Sequence, residues 1–302
     1  MNGQLRFGII TLQQLPWKRE IQRWRLIEAL GFDSVWVADH FVNYIQPNAP
    51  WFEAWTLLAA LATHTRHIRI GTLVTSVPLR NPAVLARQAL TVDHISDGRL
   101  ELGLGAGASG KMDPTYSMTG IEDWAPPERV ARFREVVEIV DQCLRSRITT
   151  YDGRYYHLEE TAMAPGPLQK PRPPITIGAM GSSMLKIAAR YADTWNSFGA
   201  EWGASPDVVL KNTQQRTEIL DKYCTEIGRD PKTLRRSLLI FGSEAETVFS
   251  SEESFQEVVS RYQRIGITEF IFFYPHTDDQ IPAFKRIAQH LIPKLKASGR
   301  PN

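Results

Sequence analysis

The sequence has few cysteines, no long apolar run and no excess of one charge. Two cysteines among 302 residues, Cys143 and Cys224, are too few for a disulfide framework, and their surroundings lack metal-type Cys/His spacing. The 35 basic and 33 acidic side chains nearly balance, and the basic clusters are interrupted, which argues against a nucleic-acid binder. The longest apolar stretch, 57–62, is far too short to cross a bilayer.

The N-terminal segment also lacks a targeting pattern. Residues 1–7 do not combine a charged segment with a following apolar one, so a secretory signal is not indicated. We therefore expect a cytoplasmic protein that binds a small-molecule substrate and neither nucleic acid nor membrane. With 43% hydrophobic residues, the chain can bury a large core in one domain, predicted to span residues 1–302.

Short apolar runs alternate with longer amphipathic segments along the whole chain. The runs predict eight strands, at 5–11, 34–38, 68–74, 99–106, 175–179, 194–198, 234–241 and 269–274. The amphipathic segments predict eight helices, at 17–30, 53–65, 82–95, 128–145, 182–191, 208–227, 254–265 and 281–295. This count favours an α/β fold, a closed parallel (β/α)8 (TIM) barrel, although a doubly wound open sheet shares the alternation.

Two longer irregular stretches interrupt this rhythm. The first, 107–127, follows the fourth strand at the end where barrel enzymes carry their active sites, so we expect a loop over the site there. The second, 148–174, precedes the fifth strand and contains closely spaced tyrosines before a proline-rich connector. We predict a small β-hairpin in this second insertion.

The second predicted strand ends in two titratable residues, Asp39 and His40. Histidine exchanges a proton near neutral pH, and an adjacent carboxylate accepts hydrogen bonds, so the pair is suited to acid/base catalysis. The alternative is an Asp that caps a helix beside an incidental His. The residue types alone leave both interpretations open.

Glycines and serines at two further strand ends suggest ligand contacts. Gly103, Gly105 and Gly107 alternate at the end of the fourth strand, where they clear space for a flat ring or another backbone, or simply pack a barrel corner. Gly181, Ser182 and Ser183 open a predicted helix, whose free N–H groups would suit a phosphate. Ordinary N-capping by one of the serines is the alternative there.

Some tryptophans and one pair of charges also call for an explanation. Trp17, Trp51 and Trp195 lie near element ends and would form walls for a planar cofactor and an apolar substrate, unless they fill the core. Arg69 and Glu101 lie inside neighbouring predicted strands. Because a charge within a barrel strand needs a partner, we predict that these two residues form a structural ion pair.

Several spaced segments together resemble the luciferase-like monooxygenases and their deazaflavin-dependent relatives. The segment 33–41, DSVWVADHF, resembles the second-strand signature of this superfamily, as does the block 69–107 with its NPA and SDGR motifs. A third match is PPITIG at 173–178, followed by AARYADTWN at 188–196. The sequence is most similar to the branch that uses coenzyme F420, an 8-hydroxy-5-deazaflavin.

This resemblance implies hydride transfer between coenzyme F420 and a small organic substrate on a luciferase-like barrel. It implies that Asp39 lies at the cofactor ring, that His40 acts as acid or base, and that a non-proline cis peptide at Leu73–Val74 backs the ring. It assigns further cofactor contacts to Ser76, Ala106 and Gly107 and the phosphate to the loop of Ala179, Met180, Gly181, Ser182 and Ser183. A two-fold homodimer is also expected from the family.

Two departures from the family pattern leave the reaction open. Ala108 stands where relatives that oxidise sugar phosphates have a Glu, which disfavours that substrate, and a Trp common in flavin monooxygenase relatives is absent. One alternative is an FMN-dependent monooxygenase that uses reduced flavin and O2. Another is a catalytically silent flavin-binding barrel, because fold does not fix function.

Overall fold

The structure is a computed structural model that describes residues 4–108, 110–198 and 203–298. The chain divides into two units. The first unit comprises Met1–Thr11, Arg25–Trp36 and Gly178–Asn302, and the second comprises Leu12–Trp24 and Val37–Ile177. The prediction of a single domain over residues 1–302 stays a prediction.

Strands and helices alternate along the described residues. The strands are β1 (Arg6–Thr11), β2 (Ser34–Val37), β3 (Arg69–Thr72), β4 (Thr75–Ser76), β5 (Leu100–Gly105), β6 (Ile148–Asp152), β7 (His157–Ala162), β8 (Ile175–Gly178), β9 (Thr194–Ser197), β10 (Arg235–Leu239) and β11 (Glu269–Phe273). The helices are α1 (Trp17–Ala29), α2 (Ala54–His64), α3 (Pro82–Ile95), α4 (Thr115–Thr119), α5 (Pro126–Arg145), α6 (Ser182–Tyr191), α7 (Pro206–Glu226), α8 (Ser243–Thr247), α9 (Glu252–Gln263), α10 (Ile281–Arg286) and α11 (Ile292–Ser298).

Parallel strand pairs organise the first unit. Strand β11 pairs with β1 on one side and with β10 on the other, and β10 pairs with β9. Phenylalanines fill the space beside these strands: Phe7 stacks on Phe270 and also contacts Phe255 of α9, with ring centroids 5.9 Å apart in both pairs. All three side chains are fully buried, so aromatic packing joins strands and helix into one core.

The second unit combines parallel strands with a separate hairpin. Strand β5 pairs in parallel with β3, β4 and β8, whereas β6 and β7 form an antiparallel two-stranded sheet. The hairpin predicted in the insertion before the fifth barrel strand is therefore confirmed. Arg69 Nε donates to Glu101 Oε1 across the β3–β5 pair, which confirms the predicted ion pair.

The (β/α)8 barrel prediction is confirmed. Within the described residues, eight parallel strands alternate with helices, and the short strand β4 and the β6–β7 hairpin are additional to the eight. The third strand ends earlier than predicted, at Thr72. The last predicted helix contains a π-helical turn at Ile287–Leu291. No helix in the described part of the chain is both long and apolar enough to span a membrane.

Candidate active site

His40 and Asp113 form a hydrogen-bonded pair in the second unit. His40 follows β2 and is partly exposed, and its Nδ1 lies 2.6 Å from Oδ2 of the buried Asp113. The other carboxylate oxygen of Asp113 accepts the backbone N–H of Thr115 at 2.9 Å. Because a carboxylate only accepts, Nδ1 of His40 is the donor, and Nε2 of the neutral ring carries the lone pair.

The charge of Asp113 is stabilised in this arrangement. Burial would raise the pKa of Asp113, but the hydrogen bonds from His40 and Thr115 outweigh it and leave this pKa below its usual range. An ionised carboxylate at Nδ1 fixes the ring tautomer and favours the imidazolium that forms when Nε2 takes a proton. No hydrogen bond joins Nε2 to another residue that the structure describes. The pair can therefore exchange a proton with a ligand.

Several contacts fix the backbone and ring of His40. Trp51 Nε1 donates to the carbonyl oxygen of His40 at 2.9 Å, and the Tyr44 ring centroid lies 4.9 Å from that of the imidazole. Just before this, the buried amide of Gln13 donates to the Ala38 carbonyl and accepts the Ala38 N–H at 3.3 Å. The chain therefore leaves β2 along a fixed path.

Asp39 is held by Arg80 instead of capping a helix. Arg80 donates to both carboxylate oxygens of Asp39, with Nη2 to Oδ1 at 2.9 Å, and the Ser76 N–H donates to Oδ2 at 2.9 Å. Arg80 Nη2 also lies 2.5 Å from Oε1 of Glu53, the residue that caps α2. Burial raises the pKa of Asp39, and the adjacent Arg80 charge acts in the opposite direction.

Asp39 therefore acts as a positioning residue in this geometry. It is 3% exposed, and its two oxygens are engaged by the chain itself. Through Arg80 and Ser76 it connects the end of β2 with the end of β4. The direct contact of Asp39 with a cofactor ring stays a prediction.

Two glycines of β5 make room for the neighbouring strand. A Cβ at Gly103 would overlap the Thr72 carbonyl oxygen, and one at Gly105 would overlap Cγ2 of Val74. The peptide bond between Leu73 and Val74 is cis, as the resemblance implies. Of the roles considered for these glycines, close approach of another backbone segment is the one that the structure shows.

The tips of β4 and β5 are small and partly exposed. Ser76 pairs with Gly105, and the following Ala106 and Gly107 retain accessible surface while the residues of β5 are buried. The next carbonyl oxygen, that of Ala108, accepts the Tyr116 hydroxyl at 2.8 Å. These predicted cofactor contacts thus lie together in the second unit, beside the Asp39–Arg80 pair.

The predicted phosphate loop lies in the first unit. Gly181 is the N-cap of α6, and no side-chain hydrogen bond caps this helix. The alternative considered for Ser182 and Ser183, an ordinary N-cap, is therefore not what the structure shows. Ser182 Oγ instead lies 2.5 Å from the Tyr223 hydroxyl, and Gly181 to Ser183 are exposed. Ala179 is buried and Met180 is partly exposed. The free N–H groups suit an anion, and their role in holding a phosphate stays a prediction.

The three candidate tryptophans have different surroundings. Trp51 lies beside His40, to whose carbonyl oxygen it donates. Trp17 packs edge-on against Trp24 and against His64. His64 is the last residue of α2 and lies about 15 Å along the helix axis from the first residue, Ala54. Trp195 has no accessible surface and donates to the Ala179 carbonyl at 2.8 Å, which argues for support of that loop and against a substrate contact.

Sequence reasoning missed Asp113, Arg80 and Gln13. Asp113 precedes Pro114 and α4, so its position reads as the start of a helix within an irregular stretch. Arg80 precedes the Asn81 cap of α3 and reads as a surface residue. The requirement for a cation beside a buried Asp39 was the one available signal. Among the described residues, no group of three or more His, Cys, Asp or Glu side chains is placed to hold a metal.

The fold and the site define the class of this protein, a (β/α)8 barrel with a candidate active site at its strand ends. Comparison with known proteins identifies the family. The sequence profile of the luciferase-like monooxygenase family matches residues 5–300. The chain therefore belongs to the luciferase-like monooxygenase family.

The curated relatives include an enzyme that is named for its dependence on F420. The chain is 36% identical over 206 residues to an F420-dependent glucose-6-phosphate dehydrogenase of Amycolatopsis mediterranei, covering 67% of this chain and 60% of the relative. It is 32% identical over 191 residues to a 5,10-methylenetetrahydromethanopterin reductase of Archaeoglobus fulgidus, covering 63% and 52% respectively. The chain thus spans little more than half the length of these relatives.

A solved structure has the same fold. An F420-dependent secondary alcohol dehydrogenase in complex with an F420–acetone adduct superposes with a TM-score of 0.80 at 20% identity, covering 95% of this chain and 99% of the other. At this level of identity the likeness establishes the barrel fold and not the reaction.

Proposed function

We propose that the protein is an oxidoreductase that binds coenzyme F420 and transfers a hydride between it and a small organic substrate. The observation that carries the proposal is the His40–Asp113 pair at the strand ends, with Nε2 of His40 available to a ligand. The curated relative named for F420 dependence, the glucose-6-phosphate dehydrogenase of Amycolatopsis mediterranei, supports the choice of cofactor.

The residues at the strand ends fit a planar ring. Ser76, Ala106 and Gly107 are small and partly exposed, and Val74 beside them is also partly exposed. Asp39 and Arg80 neutralise one another beneath Ser76, so the ring would rest on a fixed segment. When bound, the deazaflavin supplies a two-electron hydride carrier, and the protein supplies position and proton transfer.

The proton steps follow from the geometry of the pair. In alcohol oxidation, His40 Nε2 would accept the hydroxyl proton, and the bound deazaflavin would supply the acceptor for the hydride of the carbinol carbon. Asp113 accepts the Nδ1–H bond throughout and stabilises the imidazolium. In carbonyl reduction, the same nitrogen returns a proton to the oxygen, so one residue serves both directions.

Cofactor titration tests the first half of the proposal. Purified protein is titrated separately with F420 and with FMN, and binding is followed by cofactor fluorescence. We expect saturable binding of F420 and none of FMN. Tight FMN binding without F420 binding would reject the proposal and favour the monooxygenase alternative. F420 binding without turnover of any alcohol or ketone would favour the catalytically silent barrel.

Replacement of His40 tests the second half. His40→Gln keeps a polar side chain but removes the basic ring nitrogen that can accept and return a proton, so kcat should fall by about 10²–10⁴-fold while F420 affinity is retained. The matched control is His157→Gln, because His157 also bonds a carboxylate, Asp152, at 2.7 Å but is 67% exposed elsewhere on the chain. The control should keep full activity. Equal turnover of both variants would remove the role given to His40.

The proposal includes a cytoplasmic homodimer with two-fold symmetry whose partners are small molecules. The support is the family membership and the general prevalence of two-fold dimers. Light scattering on the purified protein checks the dimer, since a monomer at working concentration would contradict it.

A further inference from the structure

One carboxylate closes the segment that carries Asp113. This segment, residues 110–123, is here called the Asp113 loop. Asp123 at its end accepts the N–H of Gly110 at its beginning at 2.9 Å, so the two ends of the loop lie together. Asp123 also accepts a hydrogen bond from Nη2 of Arg129 in the first turn of α5. The Asp123–Arg129 pair therefore fastens both ends of the loop to this helix.

Arg129 forms this attachment from a buried position. It is 8% exposed, and its Nη2 also donates to the Trp124 carbonyl at 3.0 Å. Its Cζ lies 5.8 Å from the ring centroid of Tyr116, a residue in the middle of the loop, and a cation over an aromatic ring is attracted to that ring. Arg129 therefore contacts the Asp113 loop at two places, at its end and in its middle.

Apolar packing contributes little to the position of the Asp113 loop. Among residues 110–123, all of which the structure describes, Tyr116 is the only large hydrophobic side chain that is buried. The loop meets the end of β2 at the His40–Asp113 hydrogen bond and at the N–H of Phe41, which donates to a loop hydroxyl at 3.4 Å. A segment with few buried apolar contacts opens locally at a small free-energy cost. Polar contacts therefore decide where Asp113 lies.

We infer that Arg129 and Asp123 are positioning residues that hold Asp113 against Nδ1 of His40 by fastening the loop to α5. This inference rests on the proposed function and deepens it. The carboxylate fixes the imidazole tautomer only within hydrogen-bond distance, so a loop released at its base would leave Nδ1 without its acceptor. In the described part of the chain, the two titratable side chains that face the imidazole are Asp113 and Tyr44. Among the described residues, Arg129 contacts neither His40 nor Tyr44, so its effect is transmitted by the loop.

Proton magnetic resonance of the protein without cofactor tests this coupling directly. An imidazole Nδ1–H that is donated to a carboxylate gives a signal far downfield, and His40→Gln identifies this signal by its disappearance. Arg129→Met should remove or broaden the signal, and Arg129→Lys, which keeps the charge, should retain part of it. Arg134→Met is the matched control, because Arg134 lies on the same helix, is 58% exposed and is 3.8 Å from Glu138; it should keep the full signal. An unchanged signal in Arg129→Met would overturn the inference.

Kinetics with F420 separate positioning from general destabilisation. Arg129→Met should lower kcat by up to about a hundredfold and leave KM little changed. In an Asp113→Ala background the same substitution should lower kcat no further, because the contact that Arg129 positions is already lost. A full additional loss of kcat in that background would overturn the inference.

A second variant covers the case in which Arg129→Met does not fold. The Asp123 side chain is 41% exposed, so Asp123→Ala should fold, and it should weaken the downfield signal and kcat in the same way. Wild-type signal and kcat in Asp123→Ala would contradict the inference. Absence of F420 turnover in the wild-type protein would refute the proposed function instead, while the downfield signal would still report whether Arg129 and Asp123 hold Asp113 at His40.

Discussion

Arg80→Met is the substitution whose consequences the structure defines most closely. The side chain of Arg80 is 10% exposed, and its guanidinium donates to both oxygens of Asp39, which is buried. Methionine keeps much of the aliphatic volume but leaves the carboxylate with one hydrogen-bond donor among the described residues, the Ser76 N–H at 2.9 Å. In this variant the negative charge of Asp39 is therefore buried without a compensating cation.

The magnitude follows from the burial of the pair. Removal of one partner from a buried ion pair destabilises a fold by about 3–5 kcal/mol, whereas the bond from Arg80 to the half-exposed Glu53 contributes at most about 1 kcal/mol. We therefore expect Arg80→Met to lower the free energy of unfolding by about 3–5 kcal/mol near neutral pH. Asp39→Asn in the same background should restore part of the loss, because an amide carries no buried charge.

The loss should depend on pH. Burial already raises the pKa of Asp39, and removal of the opposing Arg80 charge raises it further. A carboxyl whose pKa is higher in the folded than in the unfolded protein destabilises the fold increasingly as the pH rises above the unfolded value. The difference between wild type and variant should therefore be large near neutral pH and shrink in acid, where Asp39 binds a proton.

Urea unfolding at neutral and at mildly acidic pH measures these free-energy differences. The proteins compared are wild type, Arg80→Met, Asp39→Asn and the double variant. A coupling energy well above 0.5 kcal/mol is expected for groups in contact. Arg80→Lys is the control, because it keeps the charge and loses the two-point contact, so it should be intermediate. A stability of Arg80→Met within about 0.5 kcal/mol of wild type at both pH values would refute the reasoning.

Two further predictions concern packing and the catalytic pair. Gly105→Ala places a methyl group against Val74 and should lower the free energy of unfolding by about 1–3 kcal/mol. Gly181→Ala is the control: because nothing lies within 4 Å of its added Cβ, its Tm should be close to that of wild type. Equal Tm values for the two variants would contradict this prediction. Burial would raise the pKa of Asp113, but the hydrogen bonds from His40 and Thr115 outweigh it and keep this pKa low. The stabilising contribution of Asp113 is therefore present above its unfolded pKa and disappears as the pH falls through its folded pKa. The stabilities of wild type and Asp113→Asn should therefore converge in acid, and a constant difference in urea unfolding would show that the charge of Asp113 is not responsible.

The barrel was predictable because its signals are local. Each parallel strand is a short apolar run, and glycines such as Gly31 and Gly266, with φ of +79° and +89°, mark the ends of helices before strands. The ion pair of Arg69 and Glu101 was predictable for a related reason, since neighbouring strands place nearby residues in register. The short strand β4 was not predictable, because its separation from β3 depends on the backbone between Thr72 and Thr75.

Only the part of the candidate site that lies at the end of a strand could be predicted from the sequence. Asp39 and His40 come directly after an apolar strand, so their location follows from the fold class. Their partners Arg80 and Asp113 are 41 and 73 residues further along the chain, in segments without a periodic pattern. The fold brings these loop residues to the site, and a single sequence does not show which loop residues will be close together in three dimensions. A buried or catalytic charge nevertheless requires a partner, so the search for that partner across the loops is the step by which the structure adds chemistry to the sequence.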